Sequence, residues 1–207
     1  MDTDFLIKNK ALPSSRVPTC FGEFIAYPYE SIDGACHLAL VKGEIKGKSC
    51  VLTRVHSECL TGDVFGSQRC DCGMQLKQAL ARIEEEGTGV VLYLRGHEGR
   101  GIGLFHKISA YSLQDKGFDT ATANIALGFP IDARNYKIAA EILLRLNITS
   151  IRLLSNNPEK QRALLEHGVV ITERIPLLPH VTPDNHFYLK TKQEKMGHLF
   201  ELPSKIS

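Results

Sequence analysis

Three cysteines raise the first chemical question. Cys59 follows the string Arg54-Val-His-Ser-Glu58, and Cys70 and Cys72 bracket Asp71, a C-x10-C-x-C spacing between an apolar run and a helical pattern. Soft thiolates select zinc among the common divalent ions. Structural zinc sites normally close a tetrahedron with four protein ligands, often from two CxxC knuckles. Here the cluster has three thiols and no second knuckle. Three ligands leave the fourth position for water, which the metal acidifies toward neutrality, the arrangement of a catalytic site. A single cysteine is more often a small buried residue, and that reading applies to Cys20, Cys36 and Cys50. A site closed by His56 competes with the open one. His56-Ser-Glu58 also matches half of a nucleobase-deaminase signature, but the later pair is C-x-C with no proline before it.

Three further segments are candidates for phosphate chemistry, each also readable as an ordinary turn or helix cap. Arg95-Gly-His-Glu-Gly-Arg-Gly-Ile-Gly103 is spaced GxGxG rather than the GxGxxG of dinucleotide folds. Its glycines permit close backbone approach to a phosphate, and Arg100 adds a planar, permanent cation. Ser155-Asn-Asn-Pro-Glu-Lys160 ends a strand and opens a helix, with Asn as N-cap and Pro158 at the first helical position. Capping alone explains that pattern, but a helix N-terminus also receives anions. Asp132 and Arg134 stand at the start of a helical pattern over 133–146. Asp132 there is a helix cap, or with Arg134 it forms a base and phosphate clamp.

The elements that must position these groups change character along the chain. FIAY, HLALV and VLTRV, punctuated by Gly34, Gly43 and Gly47, predict a β-meander or hairpins from Phe21 to His56. Residues 74–86 place Leu76, Leu80 and Ile83 on one helical face, with Gly87 as the stop. Strands at 90–94, 151–155 and 169–175 alternate with helices at 102–116, 133–146 and 158–167, the order of parallel βαβ units. The expectation is a mixed α/β fold: a β-rich N-terminal part merging into a βαβ layered sheet with flanking helices. Residues 1–19 read as a flexible arm, 20–200 as one domain and 201–207 as a tail. The 207 residues carry 25 Lys+Arg against 23 Asp+Glu, a formal +2, which argues against a nucleic-acid coat. No apolar run approaches the length of a membrane span or signal peptide, so the chain reads as soluble and cytoplasmic.

Taken together the motifs resemble GTP cyclohydrolase II, which opens GTP at the start of riboflavin synthesis. The shared strings are RVHSECLTGDVFGSQRCDCGMQL, LRGHEGRGIGL, AYSLQDKGFDT, LGFPIDARNY, RLLSNNPEK and KTKQEKMGHL, from about Phe21 to Leu199. The length leaves no room for the dihydroxybutanone-phosphate synthase domain fused to some members, so the resemblance is to the monofunctional form. It implies one catalytic zinc on Cys59, Cys70 and Cys72. It places GTP against Arg54, Val55, His56, Ser57, Glu58, Gln75, Glu98, Gly99, Arg100, Thr120, Ser155 and Lys160, with Glu98 suited to guanine N–H groups. Asp132 is implied as proton acceptor, Arg134 as nucleophile on the α-phosphate, and Tyr111 as the tyrosine that accompanies full processing. A guanidinium is a poor nucleophile, so a second role for Arg134 is to stabilise the α-phosphate charge while water attacks. Ser155 replaces the usual threonine, and Thr122 stands where an acidic residue is common.

The implied reaction releases formate and diphosphate and gives a diamino-hydroxy-pyrimidine ribosyl phosphate, with Mg²⁺ on the triphosphate and a homodimer as the assembly. The expected partner is therefore GTP, with no nucleic acid and no membrane. The alternatives are a zinc-dependent hydrolase or deaminase of another purine nucleotide, or a non-catalytic zinc protein that binds nucleotide or RNA.

Overall fold

The computed structural model describes residues 12–202. A continuous apolar strand needs cover on both faces, and VVLYL has it. It lies in β5 (Gly89–Leu94) near the centre of one seven-stranded sheet that also contains β1 (Ser15–Thr19), β2 (Gly22–Glu30), β3 (Cys36–Lys42), β4 (Val51–Ser57), β6 (Ile151–Leu154) and β7 (Ile171–Ile175). The order is β1-β2-β3-β5-β4-β6-β7. β1, β2, β3 and β5 pair antiparallel, with Ala39 opposite Leu92. β5, β4, β6 and β7 pair parallel, with Val55 opposite Leu92 and Leu52 opposite Arg152. The expected mixed α/β sheet is therefore present, as an antiparallel half fused to a parallel half.

Helices cover both faces. On one, Ala79, Leu80 and Ile83 of α2 (Cys72–Glu86) pack on Phe24, Leu52, Val91 and Leu154. On the other, α5 (Lys137–Arg145) and α6 (Pro158–Glu166) supply Ala139, Ile142, Leu143 and Leu164 to a core with Val41, Val55, Leu92 and Leu153. α2 stops at Gly87, whose φ of 73° suits the left-handed cap. The remaining helices are α1 (Leu60–Asp63), α3 (Gly103–Gln114), α4 (Thr120–Ala126) and α7 (His186–Met196).

Five sequence expectations change. Cys20, Cys36 and Cys50, expected as small buried residues, are all exposed. VLTRV does not continue the meander: β4 leaves the hairpin and inserts between β5 and β6. Its β-branched residues suit either environment, so periodicity alone could not separate them. Residues 15–19, expected in a flexible arm, form β1 against β2, while residues 1–11 and 203–207 lie outside the described residues. The helix expected from 133 begins at Lys137, and Asp132 is not its cap. The Asp132 carboxylate is already engaged by the Arg134 backbone N–H at 3.1 Å and by its side chain, a local turn that holds the segment before Lys137 out of the helix. α7 was not expected at all; its buried face includes Thr191 and Lys192, which breaks the apolar stripe that marks a helix.

Candidate active site

The parallel strands β4, β5 and β6 end on the same side of the sheet, and their C-terminal loops build one cleft. Open α/β sheets place ligands at such strand ends, where successive connections run to opposite sides. β4 is that point here, since the chain moves from it to β5 on one side and later to β6 on the other.

The loop after β4 leads into α1, and α1 lies directly on the start of α2. Gly73 permits this: a Cβ there would come within 2.1 Å of the Gly62 carbonyl oxygen. The close approach brings Cys59, Cys70 and Cys72 together, with ligand atoms within 4.8 Å of one another. The Sγ atoms of Cys59 and Cys70 are 3.6 Å apart. Hydrogen bonds from Cys70 and Cys72 favour the Cys59 thiolate and hold its pKa far below the usual thiol value. The same bond to Cys59 pushes Cys70 up to about 11, and Cys72 rises for the same reason. Three thiols this close carry one negative charge comfortably, and a divalent cation is what lets all of them ionise. The donor set therefore fits zinc.

His56 does not close the cage. Its Nε2 lies 3.0 Å from Asp63 Oδ1, and Asp63 also accepts from the Cys59 backbone N–H and the Tyr93 hydroxyl. Among the described residues the cluster has three protein donors. Lys107, which the sequence reading missed, donates to Cys59 Sγ at 3.2 Å, to Thr61 and to Glu98 Oε1. Burial opposes its charge, but the neighbouring Cys59, Tyr111 and Glu98 outweigh that and hold its pKa above the ordinary lysine value.

Beside the cage the cleft is cationic. Arg54, Arg100 and Lys160 are at most 8% exposed, and among the described residues none has a carboxylate within ion-pair distance. Arg54 donates to the Leu154 carbonyl and to Gln75 Oε1 at 2.7 Å, while its Nε has no partner among the described residues. Both terminal nitrogens of Arg100 are buried without a partner among the described residues. Arg100 adopts a φ of 66°, between Gly99 and Gly101 at 60° and 90°, so the glycine-rich loop turns through the left-handed region. Such strain in a non-glycine residue points to a function. Lys160 donates to the Val55 carbonyl at 2.6 Å. Burial first, then Arg54, Arg134 and Lys192, depress its pKa well below the lysine value. Buried cations that lack anions are costly unless a ligand supplies them.

Of the residues singled out in the sequence, Arg54, His56, Ser57, Glu58, Gln75, Glu98, Gly99, Arg100, Tyr111, Thr120, Arg134, Ser155 and Lys160 line this cleft with the three cysteines. Val55 does not: its side chain is in the core and only its carbonyl faces the site, toward Lys160. Asp132 stands behind Arg134, gripping its Nε and Nη2 at 2.9 and 2.5 Å. Burial opposes the Arg134 charge, yet Tyr136 and Asp132 outweigh it and hold the guanidinium pKa above its ordinary value. Asp132 in turn is raised by burial but lowered more by Arg134, and remains a carboxylate. Glu98 has both oxygens engaged, one by the Leu60 N–H and the other by Lys107 and the Gly99 N–H. It therefore holds the metal loop rather than presenting a free carboxylate. Lys107, His97, Asn156, Tyr188, Lys192 and His198 also line the cleft and were missed. GHEGRG and KTKQEKMGHL contain His97, Lys192 and His198, but no spacing rule marks them.

A thiol cage beside a buried cationic cleft, at the carboxyl ends of parallel strands, defines an α/β site for a metal ion and an anionic ligand. The sequence model of GTP cyclohydrolase II matches residues 9–176, and the chain belongs to that family. It is 54% identical over 193 residues to riboflavin biosynthesis protein RibBA of Chlamydia trachomatis, covering 93% of this chain and 46% of that one. Identity to RibBA of Nocardia farcinica is 57% over 185 residues, covering 89% and 45%. The chloroplastic bifunctional riboflavin biosynthesis protein RIBA 1 of Arabidopsis thaliana is 53% identical over 193 residues, covering 93% and 36%. The chain thus spans about half, or less, of the length of these relatives. A solved two-domain 3,4-dihydroxy-2-butanone 4-phosphate synthase from A. baumannii aligns with a TM-score of 0.46 and 19% identity, over 84% of this chain and 42% of that one. Among the described residues no helix is long and apolar enough to cross a membrane.

Proposed function

We propose that this chain hydrolyses GTP, releasing diphosphate and formate to leave a 2,5-diamino-6-hydroxy-4-(5-phosphoribosylamino)pyrimidine, as the first step toward riboflavin. One observation carries the reading: three buried cations without carboxylate partners among the described residues share a cleft with three convergent thiols. A triphosphate supplies the missing negative charge, and a purine attached to it reaches the metal. Family membership supports guanine as the purine.

Cys59, Cys70 and Cys72 would hold zinc, which when bound supplies Lewis-acid activation of water for opening the imidazole ring. Arg54, Arg100 and Lys160 bind the triphosphate, with Mg²⁺ the expected companion of its oxygens. Arg134 is aimed by Asp132 and stabilises charge as diphosphate leaves the α-phosphate. Its raised pKa and its pairing with a carboxylate favour this electrostatic role over covalent attack by the guanidinium. His97 is held neutral by burial and by Arg134 and Lys160, its pKa down at about 3, with Nδ1 3.2 Å from Ser57 Oγ. It fixes Ser57 next to Arg134 without adding positive charge. Tyr111, beneath Arg69 and Lys107, closes the side of the cleft next to the cysteines.

The test is metal content together with product analysis on GTP, ATP and dGTP. One zinc per chain and stoichiometric formate from GTP are expected. Cys59→Ser is expected to lose zinc and formate release together. Formate production by a metal-free Cys59→Ser protein, or preferential turnover of ATP, would overturn the reading.

A further inference from the structure

One wall of the cleft comes from a segment that none of the phosphate or thiol motifs supplies. Tyr188, Lys192 and His198 line it from α7 and the turn that follows, beyond residue 176, where the family match ends. α7 is tied to the metal loop by Lys192 Nζ, which donates to Asp71 Oδ1 at 2.7 Å. The side chains of this pair are 9% and 0% exposed. Asp71 Oδ2 accepts from Gln75 Nε2 at 2.5 Å, and Gln75 Oε1 accepts from Arg54 Nη2 at 2.7 Å. Four side chains thus run unbroken from the C-terminal helix to the buried guanidinium on β4. Past α7, the His198 N–H donates to the Lys192 carbonyl and the Leu199 N–H to the Asn156 carbonyl, fastening the segment to the loop that carries Ser155 and Lys160.

A buried ion pair is poor evidence of stability, because apolar side chains would hold α7 at least as well. What it supplies is orientation. Each Asp71 oxygen is engaged, so the carboxylate cannot turn without losing a donor. That forces the Gln75 amide to present its NH₂ to Asp71 and its oxygen to Arg54. With Nη1 on the Leu154 carbonyl as well, the Arg54 fork is set and its unpartnered Nε is left for a ligand.

We propose that Lys192 is a positioning residue for the nucleotide, acting through Asp71 and Gln75 to hold Arg54 in its binding orientation. The proposal rests on the GTP reading above and extends its site to the C-terminal helix. The test uses the full, zinc-loaded chain and the α,β-methylene analogue of GTP. Lys192→Met is expected to keep a cooperative melt and one zinc per chain while weakening analogue binding about tenfold to a hundredfold, the effect of losing one charge-assisted hydrogen bond. With GTP, kcat/KM falls mainly through KM, and Lys192→Arg recovers most of the binding. Should the orphaned Asp71 carboxylate unfold Lys192→Met, the double variant Asp71→Asn/Lys192→Met removes both charges and is expected to bind as weakly. Normal analogue binding by the single or double variant overturns the proposal, as does a binding defect cured by saturating zinc. A wild-type chain that binds no GTP analogue refutes the GTP reading itself. Wild-type binding matched by Lys192→Met refutes only the role of Lys192.

Discussion

Gly62→Ala tests the thiol cage without touching a ligand. Gly62 sits in α1 with helical backbone, so alanine meets no torsional penalty and is by propensity the better residue. The added methyl, however, would lie 2.9 Å from Cys70 Sγ, 3.1 Å from Cys59 Sγ and 3.2 Å from the Cys72 Cβ. With metal bound the sulfurs cannot swing aside, because the cage geometry requires them where they are. Overpacking of this kind costs about 1–3 kcal/mol. Here it falls on the metal-bound state, which needs all three sulfurs in place, so zinc affinity drops about fivefold to 150-fold. The assay is competition with a colorimetric chelator over a buffered zinc series, beside melting curves with and without metal. The expected result is an apo melting temperature equal to or above wild type, with a smaller rise on adding zinc. Wild-type zinc affinity in Gly62→Ala would refute the cage as described.

Lys160→Met is expected to raise the melting temperature of the ligand-free protein while weakening GTP binding by at least tenfold, since it removes a buried cation whose charge burial and the neighbouring Arg54 and Arg134 oppose; unchanged GTP affinity would count against the cationic cleft. His97 sets part of the acid limit. Its folded pKa, about 3, lies below the unfolded value of about 6.5, so between these the unfolded chain binds more protons and stability falls as pH falls. Denaturant titrations at pH 7 and pH 5 should show His97→Gln losing up to about 2 kcal/mol less than wild type over that interval, and equal losses would contradict the assignment. Arg134→Ala is expected to stop diphosphate release and Arg134→Lys to retain part of it, as a charge clamp demands. A guanidinium–nucleotide adduct recovered by rapid quench of the wild type would reverse that reading.

The chemistry-bearing strings were more legible than the fold that assembles them. Cys59, Cys70 and Cys72 converge as their spacing and type suggest, because thiols among Glu58, Arg69 and Asp71 have poor prospects as ordinary apolar core. Asn157 caps α6 as its Asn-Pro pattern indicates, accepting from the Glu159 and Lys160 N–H groups. The position of β4 was not legible: strand pairing depends on partners far along the chain, and VLTRV is compatible with either half of the sheet. Arg54 and His56, charged and polar groups inside that apolar run, were the available hint that this strand serves the site. The start of α5 was misjudged because Asp132 can cap a helix or hold Arg134, and only the tertiary structure decides. α7 escaped because its buried face is built from Thr191 and Lys192 beside Leu189, a pattern that reads as solvated until Asp71 is known to lie opposite.

The division of the sheet explains why the chemistry gathers on one half of it. The carboxyl ends of β4, β5 and β6 point the same way, so the loops after them converge: Glu58 and Cys59 from the first, Arg95–Arg100 from the second, Ser155–Lys160 from the third. Antiparallel β1, β2 and β3 alternate their ends and cannot build such a cluster. Their contribution is support. β3 covers the free edge of β5, and its His37 accepts the Arg95 N–H on Nδ1 at 3.2 Å, fixing where the glycine-rich loop begins. That bond requires the proton on Nε2, which lies 3.1 Å from Ser31 Oγ and therefore donates to it. His37 is buried and its pKa lowered by burial, so the accepting tautomer persists near neutrality. Replacing it by phenylalanine would leave the Arg95 N–H unpaired at the root of the Arg100 turn. The expected consequence is a weaker GTP affinity with zinc affinity unchanged, and a loss of zinc instead would mean that β3 braces the cage rather than the phosphate loop.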